Sequence, residues 1–454
     1  MAVERELKFR LARRAAARAV SELRLDNVVA LSTTYFDTAD RALGRARAAL
    51  RLRRHGRHWL QAFKRELAPG TRGEWEMPLA GPKLDLARFP RAEIGIDLGR
   101  LRVRPLFETR FMRRTATVGL KDAVIEVAFD RGNVIVGGRR EPIHELEIEL
   151  KRGAPRAMLR YAQSLVEPLE LQLAFESKAQ RGYRLADGQA LSPPRKWRAP
   201  DILGSTPGGA LRQLVGAAIE QVGANARGFL AADDPEYLHQ LRVGLRRLRA
   251  ILVAFRALEP RARGLKRRLR RFTPALGTAR DWDVFVASLA PGSRLRKAAE
   301  THRRRARREA RAVVASPGFN ETLVRALRWL EEAPWQETAE SLPDFASGAL
   351  DRLRRKVAKG IDWNDAAERH ALRIRIKRLR YASEAFGHPA KDLERLQDTF
   401  GELSDIAVAR RLMKKLPPAP HFKEKLNEKE GVLIARARRE WQAFGKRTPR
   451  VSAS

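Results

Sequence analysis

Cysteine is absent from the 454 residues. Its absence excludes disulfides and thiolate metal centres and suits a reducing compartment. No apolar stretch is long enough to span a membrane, and the first residues carry no apolar signal core. A soluble, cytoplasmic protein is the expectation, with no membrane partner. Aromatic residues make up 7% of the chain. None interleave the basic runs as stacking platforms, which argues against specific nucleic-acid binding. No glycine pattern matches a phosphate-binding loop or a dinucleotide fingerprint, and no pair of histidines has metal-ligand spacing. Acidic residues are the scarce charge, 54 against 92 Lys and Arg, for a formal net charge of +38. Such an excess calls for a polyanionic partner and says nothing about fold.

The chain is long enough for two or three domains and changes character part-way. Residues 1–186 read mostly as strands: "TTYFDT", "ALRLRR", "HWLQAFKRE", "AVIEVAFDRG" and "HELEIELKRG" are short, alternating and bounded by Gly or Pro. "RRHGRHW" predicts a hairpin turn at Gly56, with His55 and His58 as solvated loop residues. Trp59 and Trp75 read as packing residues. Residues 187–204 have the Pro, Gly and Ser density of a linker. Residues 205–440 switch to helical spacing. They also repeat: "HQLRVGLRRLR" (239–249) returns as "HALRIRIKRLR" (370–380), and "LGTARDWDV" (276–284) as "FGELSDIAV" (400–408). The expectation is a multidomain α+β chain, a sheet domain with flanking helices followed by an all-α bundle with an internal pseudo-repeat.

The strands share a design. In "MAVERELKF", Glu4, Glu6 and Lys8 fall on one face and Val3, Arg5, Leu7 and Phe9 on the other. Glu145, Glu147 and Glu149 alternate with apolar residues, Glu126 and Asp130 share a face, and Arg51 and Arg53 stand together. A plain solvated face would not require carboxylates on some strands and guanidinium groups on others. A sheet that closes on itself could turn these faces inward. There, carboxylates would offer hard oxygens to Mg²⁺ or Mn²⁺, and Arg and Lys would hold phosphate oxygens. Metal and cationic clamp together are the equipment of phosphoryl transfer. In "TRFMRRT", Arg110 and Arg114 alternate together while Arg113 faces away, and alternation alone leaves open which of them faces inward.

"VERELKF" resembles the ExExK signature of the CYTH family, the triphosphate tunnel metalloenzymes. "YFDT", "LRLR", "EWEMPL", "ELEIEL" and "SKAQRGY" extend the likeness over about residues 1–186. The resemblance implies a closed antiparallel barrel around a tunnel that binds triphosphates with divalent metal. It implies metal ligation by Glu4, Glu6, Glu126, Asp130, Glu145 and Glu147. It implies phosphate contacts from Lys8, Arg51, Arg53, Lys64, Arg110 and Lys178, with Glu4, Glu6, Lys8 and Lys64 at the centre of catalysis. The implied reaction is hydrolysis of inorganic triphosphate or longer polyphosphate. Nucleotide or thiamine triphosphate, and a non-catalytic polyphosphate binder, are the alternatives.

In the second half, His239, Arg242, Arg246 and Arg249 fall at helical spacings on one face, and His370, Arg373, Lys377 and Arg380 repeat them. Like charges one turn apart oppose each other mildly, so two matched cationic stripes ask for an anion. These motifs resemble the CHAD domain, whose implied role is to bind inorganic polyphosphate along such a surface, with polyphosphate granules one implied association. Lys377 stands opposite Arg246 in the repeat and Ser404 opposite Arg280, so the two copies are unequal.

Overall fold

The structure is a computed structural model that describes residues 2–68, 71–258, 262–332, 338–388 and 391–447. For 2–4, 66–68, 71, 72, 446 and 447 it describes the backbone alone. Two compact units form: Met1–Arg195 with Ala315–Glu332, and Lys196–Val314 with Ala333–Ser454.

The first unit carries β1 (Ala2–Glu4), β2 (Glu6–Arg10), β3 (Asn27–Asp37), β4 (Ala48–His55), β5 (His58–Ala68), β6 (Thr71–Leu79), β7 (Arg104–Leu120), β8 (Ala123–Val136), β9 (Arg139–Gly153) and β10 (Gln172–Ala174). They form one ten-stranded sheet in the order β1-β6-β5-β4-β3-β7-β8-β9-β2-β10, every pairing antiparallel. The expectation of a closed ring of strands is not met: among the described residues the hydrogen-bonded order is linear. The chain itself joins the two ends. β1 pairs with β6, β2 pairs with β9, and only Arg5 separates β1 from β2. The hairpin at Gly56 forms as expected, with φ of 61° at that glycine and His55 opposite His58.

Helices α1 (Arg13–Glu22), α2 (Ala42–Arg45), α3 (Arg91–Ile94), α4 (Pro155–Val166) and α5 (Lys178–Ala186) flank the sheet. The apolar face of β4, β5 and β6 supplies Leu50, Phe63 and Trp75 to a core with Phe89, Ile94 and Leu98. Alternation thus leaves the charged residues of those strands on the opposite face.

The remaining helices are α6 (Pro207–Ala231), α7 (Pro235–Ala254), α8 (Arg263–Arg271), α9 (Thr273–Ala287), α10 (Arg294–Ala315), α11 (Pro317–Glu332), α12 (Leu342–Ala358), α13 (Ala366–Ala385), α14 (Lys391–Met413) and α15 (Pro420–Arg447). The repeated segments become α7 and α13, each capped by an aspartate, Asp234 or Asp365, that accepts from a backbone N–H two residues on. α7 packs on α13, α9 on both α7 and α14, and α14 on α13.

One helix departs from the expected continuous bundle of 205–440. α11 belongs to the sheet unit, where it packs on α4 and β10. Asn320 Oδ1 accepts the Leu173 backbone N–H of β10 at 3.0 Å, Arg160 pairs with Glu332 at 2.6 Å, and Phe319, Leu323 and Val324 are buried. β10 is an edge strand, and its exposed peptide groups are what α11 covers.

Candidate functional site

Residues directly opposite across a sheet point to the same side. By that register Glu74, Lys64, Arg51, Arg53, Thr33, Arg113, Asp130, Glu145, Glu147, Lys8 and Glu6 share one face. Glu4 holds the matching register position in β1, and its side chain lies outside the described residues. One sheet face therefore collects most of the charged residues singled out in the strands.

The face divides by how its charges are satisfied. Asp130, Glu145 and Glu147 surround the Lys178 ammonium at 2.7, 2.9 and 2.8 Å. Arg113 grips both oxygens of Asp130 at 2.7 Å and reaches Glu147 at 2.5 Å. Arg181 pairs with Glu145, and with Glu141 at 2.8 Å. Burial opposes the charge on Lys178, yet the three carboxylates raise its pKa well above the ordinary value. Burial likewise opposes ionisation of Glu147, but Lys178, Lys8 and Arg113 hold its pKa well below the usual carboxylate range. This is a locked ion-pair network that offers few free oxygens.

Helix α5 delivers two of its cations. Ser177 and Gln180 form a reciprocal capping box that starts the helix at Lys178. A Cβ at Gly182 would stand 2.0 Å from the Phe107 ring, so only glycine lets α5 lie this close to β7.

A second group is looser. Lys8 lies 2.6 Å from Glu6 and 3.3 Å from Glu147. Arg51 meets Glu74 at 2.8 Å and Glu76 at 3.3 Å, and Lys64 meets Glu74 at 3.0 Å. Glu126, Glu149 and Glu6 stand side by side across β8, β9 and β2, three carboxylates in one row. Lys151 balances two of them, at 2.8 Å from Glu149 and 3.6 Å from Glu126. Among the described residues no three acidic or histidine groups converge tightly enough to hold a metal ion as they stand. The row nevertheless has the right chemistry, since adjacent carboxylates repel until a cation joins them.

Arg53 is different. Its Nε lies 3.3 Å from the Thr33 hydroxyl, and no carboxylate pairs with it among the described residues. Burial, then Arg51 and Arg113, lowers its pKa to about 10. A guanidinium with no acid partner, next to two more, is a seat for an anion.

Two expectations about β7 are corrected or decided. Arg110 is exposed and pairs with Glu108 at 2.7 Å, away from the charged face. Arg113 is the one that faces the carboxylates. Alternation correctly grouped Arg110 with Arg114, but only the burial of Phe107, Thr109 and Phe111 reveals which face is inside. Glu74, Glu149 and Arg181 also belong to the face. The alternation of "ELEIEL" already pointed to Glu149.

In the helical unit, α7 and α13 bring their basic stripes together, with Arg280 of α9 and Asp405 of α14 beside them. Arg242 Nη1, Arg246 Nε and Arg373 Nε are buried without hydrogen-bond partners among the described residues. A Cβ at Gly277 of α9 would stand 3.1 Å from Arg242 Nη1, a close approach that the glycine permits. Burial, then Arg246, Arg373 and Arg242, pushes Lys377 down to about 6. Burial, then Arg280, pushes His239 down to about 4, and burial, then Arg373 and Lys377, lowers His370. Without an anion this site sheds positive charge. Arg380 departs from its expected place, because it is held by Glu384 at 2.7 Å and Glu394 at 2.9 Å. Its counterpart Arg249 has no ion pair among the described residues, so the stripes end differently.

Family models match both parts of the chain, the CYTH domain over residues 2–183 and the CHAD domain over residues 213–414. The chain is a CYTH domain fused to a CHAD domain. An inorganic triphosphatase of Haemophilus influenzae is 30% identical over 174 residues, 37% of this chain and 49% of that protein. The matched stretch thus spans about half the length of that relative. The CHAD domain of the plant Ricinus communis is 27% identical, with a TM-score of 0.46, 56% of this chain covered and 97% of that one. A Hippeastrum protein described as having a dominant triphosphatase activity is 20% identical, with a TM-score of 0.32, 42% of this chain covered and 98% of that one. The charged sheet face lies within the CYTH domain, and the paired basic stripes lie within the CHAD domain. No helix among the described residues is long and apolar enough to cross a membrane.

Proposed function

We propose that the CYTH domain hydrolyses inorganic triphosphate and that the CHAD domain binds longer polyphosphate. The observation that carries this reading is Arg53, a half-buried guanidinium facing a carboxylate-lined surface without an acid of its own. A pure polyanion binder would gain nothing from the carboxylates beside it. A phosphohydrolase needs both signs of charge, cations for the substrate and acids for a metal. Distant homology to an inorganic triphosphatase supports the same chemistry.

In this reading Arg53 takes two oxygens of one phosphate, and Arg51 and Lys64 join it by exchanging Glu74 for substrate. Lys8, between Glu6 and Glu147, would turn toward a phosphate oxygen when substrate arrives. Arg113, Lys178 and Arg181 hold the framework beneath. Glu6, Glu126 and Glu149, together with Glu4, would hold Mg²⁺ or Mn²⁺. The metal, when bound, would neutralise phosphate oxygens and lower the pKa of bound water. Because the N-terminal segment pairs at both ends of the strand order, the charged face would wall a tunnel.

Phosphate release from triphosphate, ATP, thiamine triphosphate and long-chain polyphosphate, each with Mg²⁺ and with Mn²⁺, tests the proposal. Fastest turnover of inorganic triphosphate is expected. Faster turnover of ATP or thiamine triphosphate would reassign the substrate. No release from any of them, with polyphosphate binding intact, would leave a binding protein.

A further inference from the structure

Outside the paired stripes, some exposed arginines of the helical unit have acids. Arg305 pairs with Glu309 at 3.0 Å, Arg436 with Glu440 at 2.9 Å and Arg411 with Asp281 at 2.6 Å. One region gathers cations from several helices. Where α7 ends and meets α8 and α12, Arg249, Arg256, Lys266, Arg270, Lys356 and Arg378 have no ion pair among the described residues. The groups acting on them are also cations. After burial, Arg249 feels Arg270, Arg378 and Arg246, and Lys266 feels Arg263, Arg256 and Arg378. After burial, Lys356 feels Arg256, Arg378, Lys359 and Arg352. α8 itself reads "RGLKRRLRR", with no acid to relieve it.

Arg249 belongs to both fields. It follows Arg246 by one turn on the inner stripe, and it faces Arg270 and Arg378 of the outer field. The stripe from His239 to Arg249 alone runs about 15 Å along α7, and the outer field continues from its end. At the matching place on α13, Arg380 does not continue the path, because it is held by Glu384 and Glu394. The cationic path therefore continues past Arg249 and not past Arg380.

We propose that the CHAD domain carries a second anion subsite, the outer field of Arg256, Lys266, Arg270, Lys356 and Arg378, joined through Arg249 to the inner stripes, and that it selects long polyphosphate over short. This rests on the reading of the domain as a polyphosphate binder. A short oligophosphate fills the inner stripes alone; a long chain also lies across the outer field and releases its counterions. Solvated faces also carry unpaired cations, so selectivity for length is the property to test.

The test uses the full chain in EDTA, which prevents turnover, titrated with a short oligophosphate and with long-chain inorganic polyphosphate at several salt concentrations. The outer variant is Arg256→Glu with Lys266→Glu and Lys356→Glu, checked against the same triple change to Gln; Arg256 and Lys356 are exposed, Lys266 is half-buried, and none has an ion pair among the described residues. It should lose about tenfold or more in long-chain affinity, with a salt slope shallower by about 2, and leave the short probe unchanged. An inner variant, Arg246→Gln with Arg373→Gln, should weaken both probes. Equal loss for both probes in the outer variant, or no loss for the long chain, would overturn the second subsite alone. Failure of the unaltered protein to bind either probe, or tighter binding of duplex DNA at the same salt, would overturn the polyphosphate reading and the subsite with it.

Discussion

Arg53 Nε lies 3.3 Å from the Thr33 hydroxyl, and that contact stands where its neighbours have carboxylates. Arg113, on the same face, holds Asp130 with two bonds of 2.7 Å. The two arginines should therefore respond in opposite ways to removal. Arg53→Ala should raise the KM for triphosphate by about tenfold or more, as loss of a charged hydrogen-bond partner would, and leave the melting temperature unchanged or higher. Arg113→Ala leaves the fully buried Asp130 to Lys178 and should cost about 1.5–3 kcal/mol of stability for the lost charged hydrogen bonds. Steady-state kinetics beside urea melts would separate the two, and a destabilised Arg53→Ala would contradict its role as an open seat.

The carboxylate row of Glu126, Glu149 and Glu6 makes an unusual prediction about metal. Adjacent like charges across strands oppose folding by about 0.2–1 kcal/mol per pair. Glu6→Gln relieves this repulsion but gives up the 2.6 Å pair with Lys8, so stability in EDTA should change by less than about 1 kcal/mol while turnover falls by at least about a hundredfold, the scale of one electrostatic contributor to a transition state. Thermal melts with and without Mg²⁺ read both effects. Metal should stabilise the unaltered protein more than the variant, and equal stabilisation would remove Glu6 from the metal set.

Helix α11 sets a limit on dissection of the chain. A fragment ending at Arg195 lacks the Asn320 acceptor for Leu173 and exposes the surface of α4 that α11 covers. It should be less stable than the full chain and prone to associate. Asn320→Ala in the full chain tests the single bond, with an expected loss of about 1–3 kcal/mol. A monomeric 1–195 fragment with undiminished stability would show that α11 is dispensable.

Lys377 makes polyphosphate binding depend on pH. Without ligand its pKa is about 6, so near neutral pH it is mostly uncharged. A bound phosphate chain stabilises the ammonium, and binding draws a proton from solvent. Affinity should fall as pH rises above 6, by at most about tenfold per unit. Lys377→Gln should flatten that slope, as titrations from pH 6 to pH 8 would reveal. The unliganded fold shows the opposite trend from this residue. The unfolded chain carries the Lys377 proton up to about pH 10.4, so between pH 6 and that value stability rises with pH. An unchanged slope in the variant would assign the linkage elsewhere.

The two-residue alternation of the strands was enough to place Glu6, Lys8, Arg51, Arg53, Glu145 and Glu147 on charged faces, because side-chain direction along a strand is a local property. Helical spacing did the same for His239, Arg242, Arg246, His370, Arg373 and Lys377. The repeat of 239–249 at 370–380 announced that α7 and α13 are equivalent helices.

Local rules say which residues share a face, not what that face meets. Whether Arg110 or Arg113 points inward depended on which side of β7 packs against Asp130 and Glu147, residues far along the chain. Arg249 and Arg380 occupy equal places in the repeat, yet Arg380 has Glu384 one turn on in its own helix, and tertiary packing adds Glu394 of α14. α11 reads as one more helix of the second half, and its membership in the sheet unit is decided by an edge strand some 147 residues earlier in the chain. Charge pattern is written in neighbours along the chain, but satisfaction of charge is settled by neighbours in space.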